Sequence, residues 1–386
     1  MSTLKELLNK HCPDGAEYVL LWSVTIWDKK FNSVDKDKQK TTIKYKYYLA
    51  DELKQLAAEN GDVKILTTNI SNLFTLEKLV SDSLNNGEIV CIPEGGNAIV
   101  QYYKGKFITG FNRIATSIDV NKLDNKFLYY VLINKLDLIS SFYRGAGIKH
   151  PDMSKVLDII IPLPPIEVQK EIVRILDEFT EKTTKLQELL HKETVLRKKQ
   201  YEYYRDKLLF NDNFDKVNMS NICEIKYGKA LKEKDRKNGE VEVYSSGGLI
   251  GWHNEYLSKT PSIIIGRKGS AGSVFYTDKS SYCIDTAFYI NKSNCNLKFL
   301  YYVLLNFELH KHKKTDGVPG INRDYLYNLK IPVPPLEEQE RIVNILDKFD
   351  ALCNDITKGL PAEIEMRKKQ YEYYRDKLLT FKEKKK

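Results

Sequence analysis

No apolar run in these 386 residues approaches the roughly 20 needed to span a bilayer. The opening MSTLKELLNK lacks the apolar region of a signal peptide and reads as a short amphipathic helix, so the chain is expected to stay in the cytoplasm. Cysteine is sparse. The six residues (Cys12, Cys91, Cys223, Cys283, Cys295, Cys353) include no CxxC pair and none at ligand spacing from the six histidines. A disulfide framework and a zinc site are therefore not expected, which leaves buried free thiols, no metal and no cofactor. No GxxxxGK followed by Ser or Thr is present, which removes a nucleotide phosphate loop. Glycine and proline are missing altogether from 166 to 209, so nothing there interrupts a helix.

The chain does contain a copy of part of itself. Residues 197–209 (RKKQYEYYRDKLL) recur without change at 367–379, 170 positions further on. Upstream at the same offset, 161–179 (IPLPPIEVQKEIVRILDEF) aligns without a gap to 331–349 (IPVPPLEEQERIVNILDKF), 12 of 19 positions being identical. The stretches between are poorly alike, and a near-identical frame with two divergent inserts suggests one framework presenting two different readers. A hydrophobic fraction of 42% over this length suffices for two or three domains with cores of their own. The net charge of +9 divides the same way: 21 basic against 18 acidic residues in 1–155 and 18 against 13 in 211–330, but 10 against 10 in 156–210 and 12 against 11 in 331–386. Basic inserts on a neutral frame are a weak pointer to nucleic acid.

After Pro162, Pro164 and Pro165, the residues Ile172, Leu176, Phe179, Leu186 and Leu190 follow three-four spacing, with Leu196, Tyr203 and Leu208 continuing the stripe. At ~1.5 Å per residue this is a helix roughly 66 Å long. Its stripe is too narrow to form a core alone, and the second copy supplies a partner through Ile342, Leu346, Phe349, Cys353 and Ile356. Gly359 and Pro361 interrupt that copy, and a kinked helix is expected in preference to a hairpin. Antiparallel pairing would give the repeat a pseudo-two-fold axis and bring Leu4, Leu7 and Leu8 near Leu378 and Leu379. Tyr201, Tyr203, Tyr204, Tyr371, Tyr373 and Tyr374 are read as packing at the coil ends rather than as base-stacking platforms, because consecutive residues point around a helix.

The second insert reads as short strands at 222–226, 241–244, 263–265, 274–276 and 287–290, separated by glycine-rich turns. Those turns carry Ser245, Ser246, Gly247 and Gly248, then Gly266, Arg267, Lys268, Gly269 and Ser270. Glycine admits close approach to a phosphate, and Arg or Lys beside it can reach phosphate or a guanine edge. The first insert aligns only in outline: FLYYVL occurs at 127–132 and 299–304, and VCIPEGGNA (90–98) stands where the other insert has GRKGSAG, with Glu94 and no basic pair. Its positive charge lies in 29–46, where seven lysines, Lys44 and Lys46 among them, accompany Tyr45, Tyr47 and Tyr48; a solvated loop and a nucleic-acid contact both remain open. Each insert ends in a glycine-containing loop, 144–152 (RGAGIKHPD) and 315–323 (TDGVPGINR), which makes Lys149, His150, Asn322 and Arg323 candidate contacts, with turn formation as the alternative.

YSSGGLIGW (244–252), IIIGRKGSAG (263–272), DTAFYI (285–290), GVPGIN (317–322), the twice-used PPIEVQ or PPLEEQ, and RKKQYEYYRDKLL together resemble the specificity subunit of type I restriction-modification systems, in order and over nearly the whole chain. The resemblance implies an α+β fold in which two globular mixed α/β target-recognition lobes are separated and joined by two long antiparallel coiled-coil helices. The implied divisions are a first lobe with its N-terminal helix (1–155), a first long helix (156–210), a second lobe (211–330) and a second long helix (331–386). It further implies that each lobe binds one half of a split sequence in double-stranded DNA. The helices would hold two methyltransferase subunits, which in turn recruit restriction subunits, and no membrane partner is expected.

Chemistry of the chain's own is not expected. Neither proline pair, LPPI or VPPL, has the Asn or Asp before it and the aromatic after it that a DNA aminomethyltransferase uses. Pro151, Asp152, Met153, Ser154 and Lys155 are only a fragment of a nuclease pattern. Two inverted lobes should enter successive major grooves about one turn, ~34 Å, apart and read two unlike blocks around an unread spacer. The competing reading is a non-catalytic coiled-coil scaffold that joins protein partners without reading DNA.

Overall fold

A computed structural model describes residues 2–312, 320–354 and 360–384. The chain forms two compact units, one of residues 1–186 and 366–386 and the other of 187–365. The helix anticipated from the missing glycine and proline is continuous over 44 residues, Ile166–Leu209. The second copy forms helices Leu336–Asn354 and Leu360–Leu379. The connection 355–359, where the kink at Gly359 is expected, lies outside the described residues.

In the first unit a six-stranded mixed sheet runs in the order Thr25–Trp27, Asn112–Ser117, Asn85–Pro93, Gln101–Thr109, Val63–Leu66, Phe74–Thr75, and only the pairing of Val63–Leu66 with Gln101–Thr109 is parallel. The sheet is backed by helix Asn125–Asn134, whose Phe127, Leu128, Val131 and Leu132 are buried with Ile172 and Leu176 of the long helix. Strand Glu17–Leu20 pairs with Ile160–Leu163 and closes the lobe just before the long helix starts. As the repeat requires, helix Ser2–His11 buries Leu4 beside Leu379, with Leu7, Leu8 and Leu378 packed around them. The two frame segments run in opposite directions here: Phe179 stacks on Tyr374 at 5.8 Å while Thr180 Oγ1 lies 3.1 Å from Tyr371 Oη.

The second unit holds an antiparallel four-stranded sheet in the order Lys226–Tyr227, Ala287–Ile290, Ser262–Gly266, Val274–Thr277. Beside it is a three-stranded sheet, Gly248–His253, Val241–Ser245, Ser281–Cys283. Four of the five expected strands are present. At 222–226, however, a 3-10 turn Met219–Asn221 comes first and only Lys226–Tyr227 joins the sheet. Ile222, Cys223 and Ile225 are buried by packing rather than by a strand ladder. Helix Leu297–Asn306 backs the sheet as its counterpart does in the first unit, and Lys216–Asn218 pairs with Lys330–Pro332 to close the lobe.

The apolar stripe needs one correction: Leu196 (52% exposed) and Tyr203 (55%) face solvent. Tyr201 packs on Phe349 at 6.2 Å, and at about 100° per residue Tyr203 must point to the far side of the helix. Tyr201, Tyr371 and Tyr374 thus fulfil the packing role, whereas Tyr204 (44%) and Tyr373 (60%) are exposed. Cys12, Cys91, Cys223, Cys283 and Cys295 are buried free thiols. Among the described residues no group of His, Cys, Asp or Glu is placed to hold a metal, and no helix is long and apolar enough to cross a membrane.

Candidate nucleic-acid interface

The glycine-rich turns of the second unit converge. The 266–272 turn closes on itself through Gly266 N–H to Ser273 O (2.8 Å) and Gly272 N–H to Gly266 O (2.9 Å). Gly272 has φ +88°, and a Cβ there would lie 2.4 Å from His310 N, so the position requires glycine. One residue organises the neighbours: Thr286 O accepts from Arg267 N (2.9 Å) and Lys268 N (3.1 Å), while its Oγ1 accepts from Ser246 N (3.3 Å). On the other flank Ile321 N donates to Arg267 O (2.9 Å), and Lys268 bridges Gly320. A Cβ on Gly247 would lie 3.7 Å from Ser245 Oγ and 3.8 Å from Ser270 Oγ. Ser245, Ser246, Gly247, Gly248, Arg267, Lys268, Ser270, Asn322 and Arg323 are in this way gathered into one loop cluster; residues 315–319 lie outside the described residues.

Within the cluster the side chains do different things. Asn322 Oδ1 accepts from Asp324 N (3.2 Å) and caps helix Arg323–Tyr327, so turn formation holds for it. The Arg267 guanidinium stands over Tyr227 (5.4 Å) and Phe288 (5.9 Å), and that of Arg323 over Tyr227 (4.9 Å) and Tyr327 (5.7 Å). Lys268 and Ser270 are exposed. Thr286 and Tyr227 were not singled out from the sequence. Thr286 lies inside the DTAFYI motif, a usable signal, but nothing local marks Tyr227, which reaches the cluster only because Lys226–Tyr227 pairs with Phe288 and Tyr289.

The first unit joins the corresponding pieces with different charges. Gly96 N donates to Lys149 O (2.9 Å), and His150 Nδ1 lies 2.7 Å from Glu94 O, which places Lys149 and His150 against the 94–96 turn. Glu94 is gripped by Arg113 (2.8 Å) and Lys29 (3.4 Å), and Arg113 stacks over Phe31 at 5.2 Å. Behind them Asp28 is buried, which pushes its carboxyl above the usual range against the opposing hydrogen bonds from Tyr47 Oη and Ile114 N. Lys44 and Lys46 are exposed on the segment that bridges Trp27 at one end and Thr109 at the other. Among the described residues neither is tied to the 94–96 turn by a hydrogen bond or ion pair; Lys29 occupies that place.

Each lobe is fixed to its frame helix by the same side chains at offset 170. Gln169, fully buried, accepts from Asp124 N (2.9 Å) and donates to Lys122 O and Pro164 O (both 2.7 Å). Gln339 accepts from Asn296 N (2.7 Å) and donates to Pro334 O (2.7 Å). Asp177 binds Tyr130 and Lys126 at 2.6 Å each, and Asp347 binds Tyr302 (2.5 Å) and Lys298 (2.7 Å). Asp124 and Asn296 in turn cap the two backing helices.

Two dissimilar lobes clasped alike onto a duplicated helical frame define a class, and the sequence families agree. The type I restriction modification DNA specificity domain matches residues 36–195 and again 211–366, and the chain belongs to this family. It is 34% identical to a putative type I restriction enzyme specificity subunit of Haemophilus influenzae, over 79% of this chain and 86% of that protein. It is 35% identical to the EcoR124I/EcoR124II specificity subunit of Escherichia coli, over 70% and 74%. Among solved structures, the HsdS subunit of Thermoanaerobacter tengcongensis shares the fold with a TM-score of 0.57, 15% identity and coverage of 95% of this chain and 96% of that one. The S subunit of M. genitalium does so with a TM-score of 0.53 at 19% identity, over 95% and 96%.

Proposed function

We propose that this chain is the non-catalytic, sequence-specific DNA-binding subunit of a type I restriction-modification complex. The lobe of residues 1–155 reads one block of a bipartite target and the lobe of 211–330 reads the other. The frame segments 156–210 and 331–386 dock two methyltransferase subunits, through which restriction subunits join. The observation that carries this reading is the pairing of a duplicated frame with loop clusters of unlike charge: a repeated frame offers equivalent docking surfaces, while different loops suit different base pairs. Lys44, Lys46, Lys149 and His150 are the proposed contacts of the first lobe. Those of the second are Ser245, Ser246, Gly247, Gly248, Arg267, Lys268, Ser270, Asn322 and Arg323.

The test is methylation profiling of a genome with and without this subunit, its methyltransferase partner being present. A two-block target should appear with the subunit, and exchange of 211–330 for the corresponding segment of a relative should alter one block only. Binding of the assembled complex to mixed-sequence DNA should weaken steeply with salt as phosphate contacts release counterions. Salt-independent binding, or a methylation pattern indifferent to the subunit, would favour a protein scaffold.

A further inference from the structure

Arg267 and Arg323 differ from ordinary surface arginines. Both guanidinium groups lie over the one ring of Tyr227, at 5.4 and 4.9 Å, and each rests on a second ring, Phe288 or Tyr327. Among the described residues neither forms an ion pair with a carboxylate, whereas in the first unit Arg113 spends its charge on Glu94. Two like charges sharing one ring repel, and among the described residues no carboxylate lies in an ion pair with either to relieve that repulsion. The Nε atom of each is buried without a partner, which leaves the terminal nitrogens as the donors open to a ligand. The ring contacts and the buried Nε atoms also restrict each guanidinium before any ligand arrives, so little side-chain freedom is lost on binding.

A fixed planar fork with two parallel N–H donors matches an edge with two adjacent acceptors. In DNA that edge is N7 and O6 of guanine in the major groove. A phosphate can accept the same fork but does not need it, because a mobile lysine binds it as a point charge, the part that exposed Lys268 beside the glycine turn can play. We propose that Arg267 and Arg323 read guanine in the block recognised by the second lobe. Tyr227 acts as the positioning residue that holds both forks, and it is itself 47% exposed at the cluster. This assignment rests on the DNA-binding function proposed above and adds to it the identity of a base.

The experiment uses the chain assembled with its methyltransferase subunits and a duplex carrying the target defined by methylation profiling. Each guanine of the block that changes when 211–330 is exchanged is replaced in turn by 7-deazaguanine, which pairs normally but lacks the N7 acceptor. At least one replacement should weaken binding by ~10- to 100-fold. Arg267→Ala or Arg323→Ala should lose sensitivity to that same replacement, and Tyr227→Leu should lower discrimination at that base without changing the salt slope. A block without a G·C pair overturns the proposal, as does indifference of the unaltered protein to every replacement, an arm that depends on no variant folding. Arginine variants that weaken all sequences alike, with a salt slope flatter by about one, would assign the pair to phosphate and also refute it. A complex that binds no DNA, or an exchange that changes neither block, would instead sink the DNA-binding function along with this assignment.

Discussion

Replacing Gln169 by Leu tests the joint between lobe and frame. The two side chains are similar in size, so the substitution creates little cavity; what it removes is hydrogen bonding. Gln169 is fully buried and serves three backbone groups, Asp124 N–H, Lys122 C=O and Pro164 C=O. Leaving a buried polar group unpaired costs about 1–3 kcal/mol, so the change should destabilise the first unit by about 3–9 kcal/mol if no water enters. That is a large part of the ~5–15 kcal/mol that holds a typical domain together. Gln339→Leu strands two backbone groups, Asn296 N–H and Pro334 C=O, and should cost the second unit about 2–6 kcal/mol. Urea unfolding followed by tryptophan fluorescence separates the two. Trp27 is buried in the first unit, whereas Trp252 of the second is 58% exposed and changes little on unfolding. Gln169→Leu should therefore move the fluorescence midpoint strongly, and Gln339→Leu should act mainly on the transition seen by circular dichroism. The reasoning fails if Gln169→Leu costs less than about 1 kcal/mol, or no more than Leu at the exposed Gln55.

Three other outcomes are expected. Tyr302→Phe removes the hydroxyl donated to Asp347 but leaves Lys298 in place; a loss of about 1–2 kcal/mol in urea unfolding, with Tyr130→Phe behaving alike in the other unit, is expected. Gly272→Ala should lower the melting temperature and abolish DNA binding, because the left-handed backbone alone costs roughly 1–2 kcal/mol and the added methyl meets the His310 backbone. Burial raises the Glu242 carboxyl, but hydrogen bonds from Thr277, Lys279 and Tyr244 outweigh it and leave the folded-state pKa depressed. On acidification the unfolded chain therefore takes up the proton first. The stability that Glu242 contributes is present above its ordinary value near ~4.3 and is lost as pH falls through the lower folded value, so Glu242→Gln should flatten that part of an acid titration of stability.

The frame was legible because duplication doubles the signal: a stretch without Gly or Pro fixed a helix, and its second copy supplied the partner. Leu196 and Tyr203 misled because they extend the apolar pattern while lying on the wrong side of a helix that turns about 100° per residue. In the second lobe the runs rich in β-branched and aromatic residues at 241–244, 263–265 and 287–290 read as strands and are strands. Gly248 reads as a turn residue and 249–253 are not among the expected strands, yet Gly248 (φ +106°) and Gly251 (φ +144°) allow a hairpin strand over Gly248–His253, with a bulge at Val243 and Tyr244. The loop cluster was legible as glycine beside basic residues, but its assembly was not. Thr286 and Tyr227 enter it through strand pairing between segments far apart in sequence, which no local pattern encodes.

The joint and the loops answer to different constraints, and this explains how one frame tolerates two unlike lobes. Gln169 and Gln339 bind backbone atoms, an N–H at a helix cap and a carbonyl beside a proline, so they demand only that a capped helix and a proline turn be present. Asp177 and Asp347 ask for a Tyr and a Lys at fixed positions of that same helix. Among the described residues no hydrogen bond or ion pair of either joint reaches the 94–96 turn or the 266–272 turn. Charge there can change, from a Glu94 held by two cations to a pair of arginines that no carboxylate among the described residues pairs, at no cost to the clasp. A segment exchanged between relatives should accordingly fold in place whenever it brings its own capped helix with the Lys and Tyr, whatever its turns carry. A segment that lacks them should fail to dock even if its turns are identical.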